Sequence, residues 1–140
     1  MDWKNLKILI AEDDNDDKLL IQDALDDIGI KFEDTFYVSD GEELLNKLKI
    51  ENNLPLLILL DLNMPIKDGR QALKEIKNSD LLKHIPVIIF TTSSSEEDIK
   101  ISYKFGTNTY FTKPSLYSEM VEIMELIKKY WLEKARLALD

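Results

Sequence analysis

Four short stretches of this chain carry side chains that can do chemistry together: Glu12-Asp13-Asp14, Asp61, Thr91-Thr92 and Lys113-Pro114. Each one ends or follows a short apolar run. Singly, each has an ordinary explanation. An acidic run after a strand commonly opens a helix, because carboxylates favour the positive end of the helix dipole, and that covers Asp14 and Asp16. Asp61 alone can cap a turn, Thr91 alone is a normal strand residue, and a lone Lys113 is usually solvated. Jointly they read differently. Three carboxylates brought to one edge repel each other and raise each other's pKa, so they need a cation to stay ionised. A hard divalent ion with oxygen ligands suits them, and Mg2+ suits best where phosphate is also present. Glu12, Asp13 and Asp61 sum formally to −3, against +2 from Mg2+ and +1 from Lys113, so the site would be near neutral. A carboxylate in that setting can attack a phosphoryl group and form an aspartyl phosphate. The cation and the lysine would stabilise the equatorial oxygens, and the Thr91 hydroxyl could donate to one of them.

The elements that must position these groups follow from hydrophobic period. Residues 6 to 11, LKILIA, form a continuous apolar run, as expected of a strand buried on both faces. From Asp17, the residues Leu20, Ile21, Ala24, Leu25 and Ile28 recur at helical spacing until Gly29. TFYVS, 35 to 39, reads as a second strand. Ser39 and Glu42 make a capping-box pattern before Leu44, Leu45 and Leu48. LLILL, 56 to 60, is a third strand running directly into Asp61, with Asp68-Gly69 making the turn into a helix over Gly69 to Lys77. Pro86 opens the fourth strand, VIIFT. Ser93 to Ser95 precede an acidic helix start, Asn108 to Thr112 is a short fifth strand, and the last helix starts near Ser115 or Leu116. Five strand–helix units in succession predict one α/β domain with a parallel sheet, right-handed crossovers and helices on both faces. Ligands of such sheets bind at the carboxyl ends of the strands, near the switch point in strand order. Four of the five predicted strands deliver a polar group to that edge.

Composition bounds the partners. The chain has 140 residues and a net charge of −9, with no cysteine. The acidity argues against direct nucleic-acid binding, which needs a basic face. Without cysteine there is no disulfide framework and no thiolate metal site. The apolar run near the start is too short for a signal peptide and ends in acids, and no window reaches membrane-spanning length. A cytoplasmic protein with no membrane partner is the expectation.

With these residues in place, the sequence resembles the response-regulator receiver domains of two-component signalling, over roughly residues 6 to 130. The resemblance rests on Glu12-Asp13, on Asp61 within LLDLNMPIKDG, on Thr91 and on Lys113-Pro114. Thr91 lies 30 residues after Asp61, and Lys113 lies 22 after Thr91. EDDNDD after the first strand, DLNMPIKDGR, and TTSSSEEDI after the fourth resemble the phytochrome-associated single-domain regulators. The resemblance implies a flavodoxin-like sheet of order 2-1-3-4-5 with five helices. It implies Asp61 as phosphoacceptor, with Mg2+ held by Glu12, Asp13, Asp61 and the backbone carbonyl of Asn63. Lys113 would contact the phosphoryl group, Thr91 and Tyr110 would form the switch, and the Lys113–Pro114 bond would be cis. A histidine kinase or phosphotransfer protein would be the donor and a downstream protein the target. Thr91 and Thr92 point to opposite faces, and the spacing from Asp61 favours Thr91.

Two other classes fit parts of the pattern. An aspartate-nucleophile phosphatase also ends a strand on Asp, but it carries a general acid two residues later, where this chain has Asn63. A receiver-like binding module that never uses phosphate would retain these residues idly. The chain is therefore expected to be a phosphoacceptor and no enzyme, beyond catalysing its own phosphorylation and dephosphorylation. His84, the only histidine, is expected to be solvated in its loop. The final helix places Leu116, Met120, Ile123, Met124, Ile127 and Tyr130 at core spacing. A helical extension over 131–140 then carries Trp131, Leu132, Ala135, Leu137 and Leu139, readable as a frayed end or as a homodimer face. If the chain is a whole protein, its output is binding to another protein or passing the phosphoryl group on.

Overall fold

The computed structural model of the chain describes residues 6–50 and 56–138. Five strands form one parallel sheet: β1 (Lys7–Ala11), β2 (Thr35–Val38), β3 (Leu56–Leu60), β4 (Val87–Thr91) and β5 (Thr109–Thr112). The order is β2-β1-β3-β4-β5. Five α-helices alternate with them: α1 (Asn15–Asp27), α2 (Gly41–Ile50), α3 (Gly69–Asn78), α4 (Glu96–Lys104) and α5 (Tyr117–Ile127).

The apolar runs explain the layering. In β1, Leu9 and Ala11 face one core cluster while Ile8 and Ile10 face the other. In β4, Val87 and Ile89 oppose Ile88 and Phe90 in the same way. Alternation of side chains across a strand turns one continuous run into two cores. Leu44, Leu48, Leu73 and Ile76 of α2 and α3 close the first cluster. Ile21, Leu25, Met120 and Met124 of α1 and α5 close the second. Burying each such side chain contributes about 1.5–3 kcal/mol, and the central strands β1, β3 and β4 supply both clusters.

Several local details differ from the sequence reading. Helix α1 starts before Asp17, because Asp14 caps it by accepting from the Asp17 N–H. Helix α2 is capped by Asp40, which accepts from the Glu43 N–H at 2.8 Å, while the Glu43 carboxylate reaches back to the Ser39 N–H at 3.3 Å. The cap is thus shifted by one residue, the return bond falls on the residue before it, and the Ser39 hydroxyl accepts instead from Lys18 at 2.8 Å. Leu116 and Tyr130 are exposed, 59% and 60%, not core. His84 is half-buried in the turn that precedes β4.

The last helix does extend past α5, in a wider winding, and ends at Lys134. A seven-residue π-type segment follows α5 at Lys128–Lys134, and Ala135 is already extended (φ −72°, ψ 147°). Wider winding turns Trp131 and Leu132 back onto the cluster under α1 and α5, and Leu137 joins them. Burying those apolar groups outweighs continuing the α-helical ladder. Leu139 lies outside the described residues. Among the described residues, no helix is long and apolar enough to cross a membrane.

Candidate functional site

Strand order reverses between β1 and β3, so their carboxyl ends flank a crevice. Backbone hydrogen bonds extend the ladder just beyond the strands there. The Glu12 N–H donates to the Val38 carbonyl at 3.0 Å, and the Asp61 N–H to the Ala11 carbonyl at 3.0 Å. On the far side, the Lys113 N–H donates to the Thr91 carbonyl at 2.6 Å. Glu12, Asp61 and Lys113 are therefore each held by the backbone of the neighbouring strand.

The side chains converge. Carboxylate oxygens of Glu12, Asp13 and Asp61 all lie within 4.8 Å of one another. Glu12 is 2% exposed and Asp61 6%, while Asp13 is exposed. Three hard oxygen donors, two buried and one facing solvent, fit a divalent cation that keeps some of its water. Lys113, its side chain 6% exposed, donates to Glu12, to Asp17 at 2.7 Å and to Asp61 Oδ2 at 3.1 Å. The other Asp61 oxygen, Oδ1, accepts from the Asn63 N–H at 3.2 Å. The Glu12 carboxylate also accepts from the Asp14 N–H at 3.1 Å.

Burial sets the electrostatics. It pushes the Glu12 carboxyl up to about 7, with the Asp61 charge adding to the rise and the Lys113 hydrogen bond opposing it. Burial alone would lower the Lys113 ammonium, but hydrogen bonds to Asp17 and Glu12 and the charge of Asp61 outweigh it and raise its pKa. Lys113 is thus a fixed cation in a site rich in anionic groups.

Thr91 ends β4 fully buried, and its hydroxyl has no hydrogen-bond partner within the protein. Leaving such a group unpaired costs about 1–3 kcal/mol. A phosphoryl oxygen nearby would satisfy it. Thr92 is exposed, in keeping with alternation. Tyr110 is half-buried against the α3 side of the core, and its hydroxyl donates to the Ser93 carbonyl at 2.8 Å. Burial raises its pKa. The Ser93 hydroxyl bonds Asp98, which pairs through both oxygens with Arg70 at 2.9 Å. The loop after Thr91 is thereby tied to α3 and α4.

One expectation fails. Among the described residues no peptide bond is cis, so Lys113–Pro114 is trans. Trans is the lower-energy form of an X–Pro bond by about 0.5–1 kcal/mol, and the Lys113 side chain reaches Glu12, Asp17 and Asp61 with it. One contributor and one close approach were missed in the sequence. Asp17 reads as an ordinary first-turn helix acid, yet it holds Lys113. Gly69 opens α3 as expected, with Asp68 capping the helix, but its spacing gives no sign of how closely it lies against the Asp61 backbone. A Cβ on Gly69 would sit 2.1 Å from the Asp61 carbonyl oxygen.

Comparison with known proteins agrees with this geometry. The family described as response regulator receiver domain matches residues 8–125. The response regulator Rcp1 of Synechocystis is 38% identical over 93% of this chain and 91% of its own length. A probable methanogenesis regulatory protein, FilR2 of Methanothrix harundinacea, is 36% identical over 89% of this chain and 83% of its own. The crystal structure of the phosphorylated cyanobacterial phytochrome response regulator RcpA superposes with a TM-score of 0.85 at 40% identity, covering 94% of this chain and 96% of that one. A five-stranded sheet of this order, an acidic crevice at its switch point and these relatives lead to one conclusion: the chain belongs to the response regulator receiver domains of two-component signalling.

Proposed function

We propose that Asp61 accepts a phosphoryl group from the phosphohistidine of a partner histidine kinase or phosphotransfer protein, and that this changes a surface read by a downstream protein. The observation that carries the reading is the meeting of Glu12, Asp13 and Asp61 within 4.8 Å, with Lys113 bonded to Asp61. An Asp61 carboxylate oxygen attacks phosphorus in line, and a new O–P bond forms. The N–P bond of the donor breaks, its electron pair returns to the imidazole, and that nitrogen takes a proton from solvent. Lys113 offsets charge on the transferring oxygens. Glu12, Asp13, Asp61 and the Asn63 carbonyl are the groups that would hold Mg2+. Bound there, the ion would neutralise charge on the phosphoryl oxygens and the attacking carboxylate. That a relative was crystallised with Mn2+ (Rcp1) and another in phosphorylated form (RcpA) supports the reading.

Output follows from the Thr91 hydroxyl. Once the phosphoryl group offers it an acceptor, Thr91 shifts toward Asp61, and space opens under the loop to which Tyr110 is bonded. Tyr110 then trades its Ser93 partner for an inward position, which alters the face formed by α4, β5 and α5. The chain acts in this reading as a phosphoacceptor and not as a phosphatase of external esters, since Asn63 stands where such an enzyme needs a general acid.

The test is intact mass after incubation with acetyl phosphate. One added phosphoryl group is expected in the presence of Mg2+, none without it, and none in Asp61→Asn. Addition to Asp61→Asn, or turnover of a phosphate ester that needs Asp61, would defeat the proposal.

A further inference from the structure

The Lys113 ammonium has three N–H bonds, and three carboxylates take them: Glu12, Asp17 and Asp61. Two of these belong to the group that can hold a metal ion. Asp17 does not. It sits in the first turn of α1, its side chain 30% exposed, and reaches Lys113 at 2.7 Å across 96 residues of sequence. Its carboxylate is not the cap of the helix, because the Asp17 N–H donates to Asp14, which is.

A divalent ion and an ammonium would share the carboxylates of Glu12 and Asp61 and repel each other. A cation held by Glu12 and Asp61 therefore weakens the bonds Lys113 makes to them. Its side chain is too buried to move into solvent cheaply. We propose, building on the phosphoacceptor reading, that Asp17 is a positioning residue for Lys113. It keeps the ammonium at the rim of the crevice, off the metal's oxygens and within reach of a phosphoryl group on Asp61. Without Asp17, the ammonium stays on Glu12 and Asp61 and opposes metal entry, or swings away and no longer meets the phosphoryl oxygens.

A double-mutant cycle tests this on the full chain. Mg2+ affinity is measured by calorimetry, with no phosphoryl donor, for wild type, Asp17→Asn, Lys113→Met and the double variant. Asp17→Asn is expected to weaken Mg2+ binding about tenfold when Lys113 is present and less than about twofold in Lys113→Met. Asp17→Glu, which keeps the charge, should restore most of the affinity. Lys113→Gln serves as the neutral background if Lys113→Met does not fold. Equal losses in both backgrounds would make Asp17 a mere source of negative field and overturn the assignment. No loss in either would reduce it to a helix-end acid and overturn it too. At saturating Mg2+, Asp17→Asn should slow phosphoryl uptake from acetyl phosphate, with no further slowing in Lys113→Met. If the cycle shows coupling while wild type takes up no phosphoryl group, the assignment of Asp17 stands and the phosphoacceptor reading falls.

Discussion

At the scale of single residues, two buried polar groups are held at a cost that phosphoryl chemistry would relieve. The Thr91 hydroxyl is fully buried without a partner. Replacing an unpaired buried hydroxyl by a methyl group of the same shape removes a desolvation penalty. Thr91→Val is therefore expected to stabilise the resting protein by about 1 kcal/mol, read as a higher urea midpoint. A midpoint that falls would show that the hydroxyl has a favourable partner at rest. Glu12 is the second group. Burial raises its carboxyl to about 7 from the ordinary 4.5. The folded state therefore holds a proton on Glu12 that the unfolded chain has already released above pH 4.5. Its ionisation in the fold becomes progressively more costly from pH 4.5 to 7, and the cost is fully felt above 7. The metal-free protein should lose stability across that window, Glu12→Gln should lose less, and Mg2+ affinity should fall as pH is lowered from 8 to 6. Urea unfolding and calorimetric titration at three pH values check both directions.

At the scale of elements, the position of Asp61, the proposed nucleophile, depends on how closely α3 can approach β3. The Gly69 N–H donates to the Leu62 carbonyl at 2.8 Å, and Asp68 accepts from the N–H groups of Arg70 and Gln71 at 2.9 and 3.1 Å. A side chain at 69 would meet the Asp61 carbonyl oxygen at 2.1 Å and the Leu62 Cα at 2.7 Å. Both are backbone atoms, so nothing flexible can give way. Gly69→Ala should cost about 1–3 kcal/mol, and by displacing Asp61 it should slow phosphoryl uptake by up to about a hundredfold. A variant with wild-type stability and wild-type uptake would show that α3 does not set the nucleophile's position. The loop between β3 and α3 carries a second sign of constraint. Ile66 has φ 66° and is 80% exposed, a left-handed conformation costly for a β-branched residue.

At the scale of the whole molecule, what the sequence could and could not reveal follows from the range of each signal. The central strands were legible because runs such as Leu56 to Leu60 are short, wholly apolar and bounded by turn signals, as strands covered on both faces are. Asp61, Glu12, Thr91 and Lys113 were legible because strand ends in a parallel sheet share one edge. The Asp17–Lys113 contact was not, since a carboxylate in a first helical turn already has a local reason to exist. The shift of the α2 cap from Ser39 to Asp40 escaped because adjacent residues both fit the cap pattern. The continuation of the last helix was legible because its apolar spacing continues the α5 pattern, whereas the wider winding and the stop at Ala135 were not, since they go with packing of Trp131 and Leu132 on the core. What the fold as a whole achieves is to bring residues at the ends of β1, β3, β4 and β5 to one crevice, and that convergence is what supports Asp61 as the proposed site of an acyl phosphate. The most direct test traps that bond. The protein is incubated with acetyl phosphate and Mg2+, reduced with borohydride, digested and mapped by mass spectrometry. An aspartyl phosphate is reduced to homoserine, so residue 61 alone should be converted, in an Mg2+-dependent manner. Conversion at another carboxylate, or a phosphoryl adduct that borohydride leaves intact, would contradict the account.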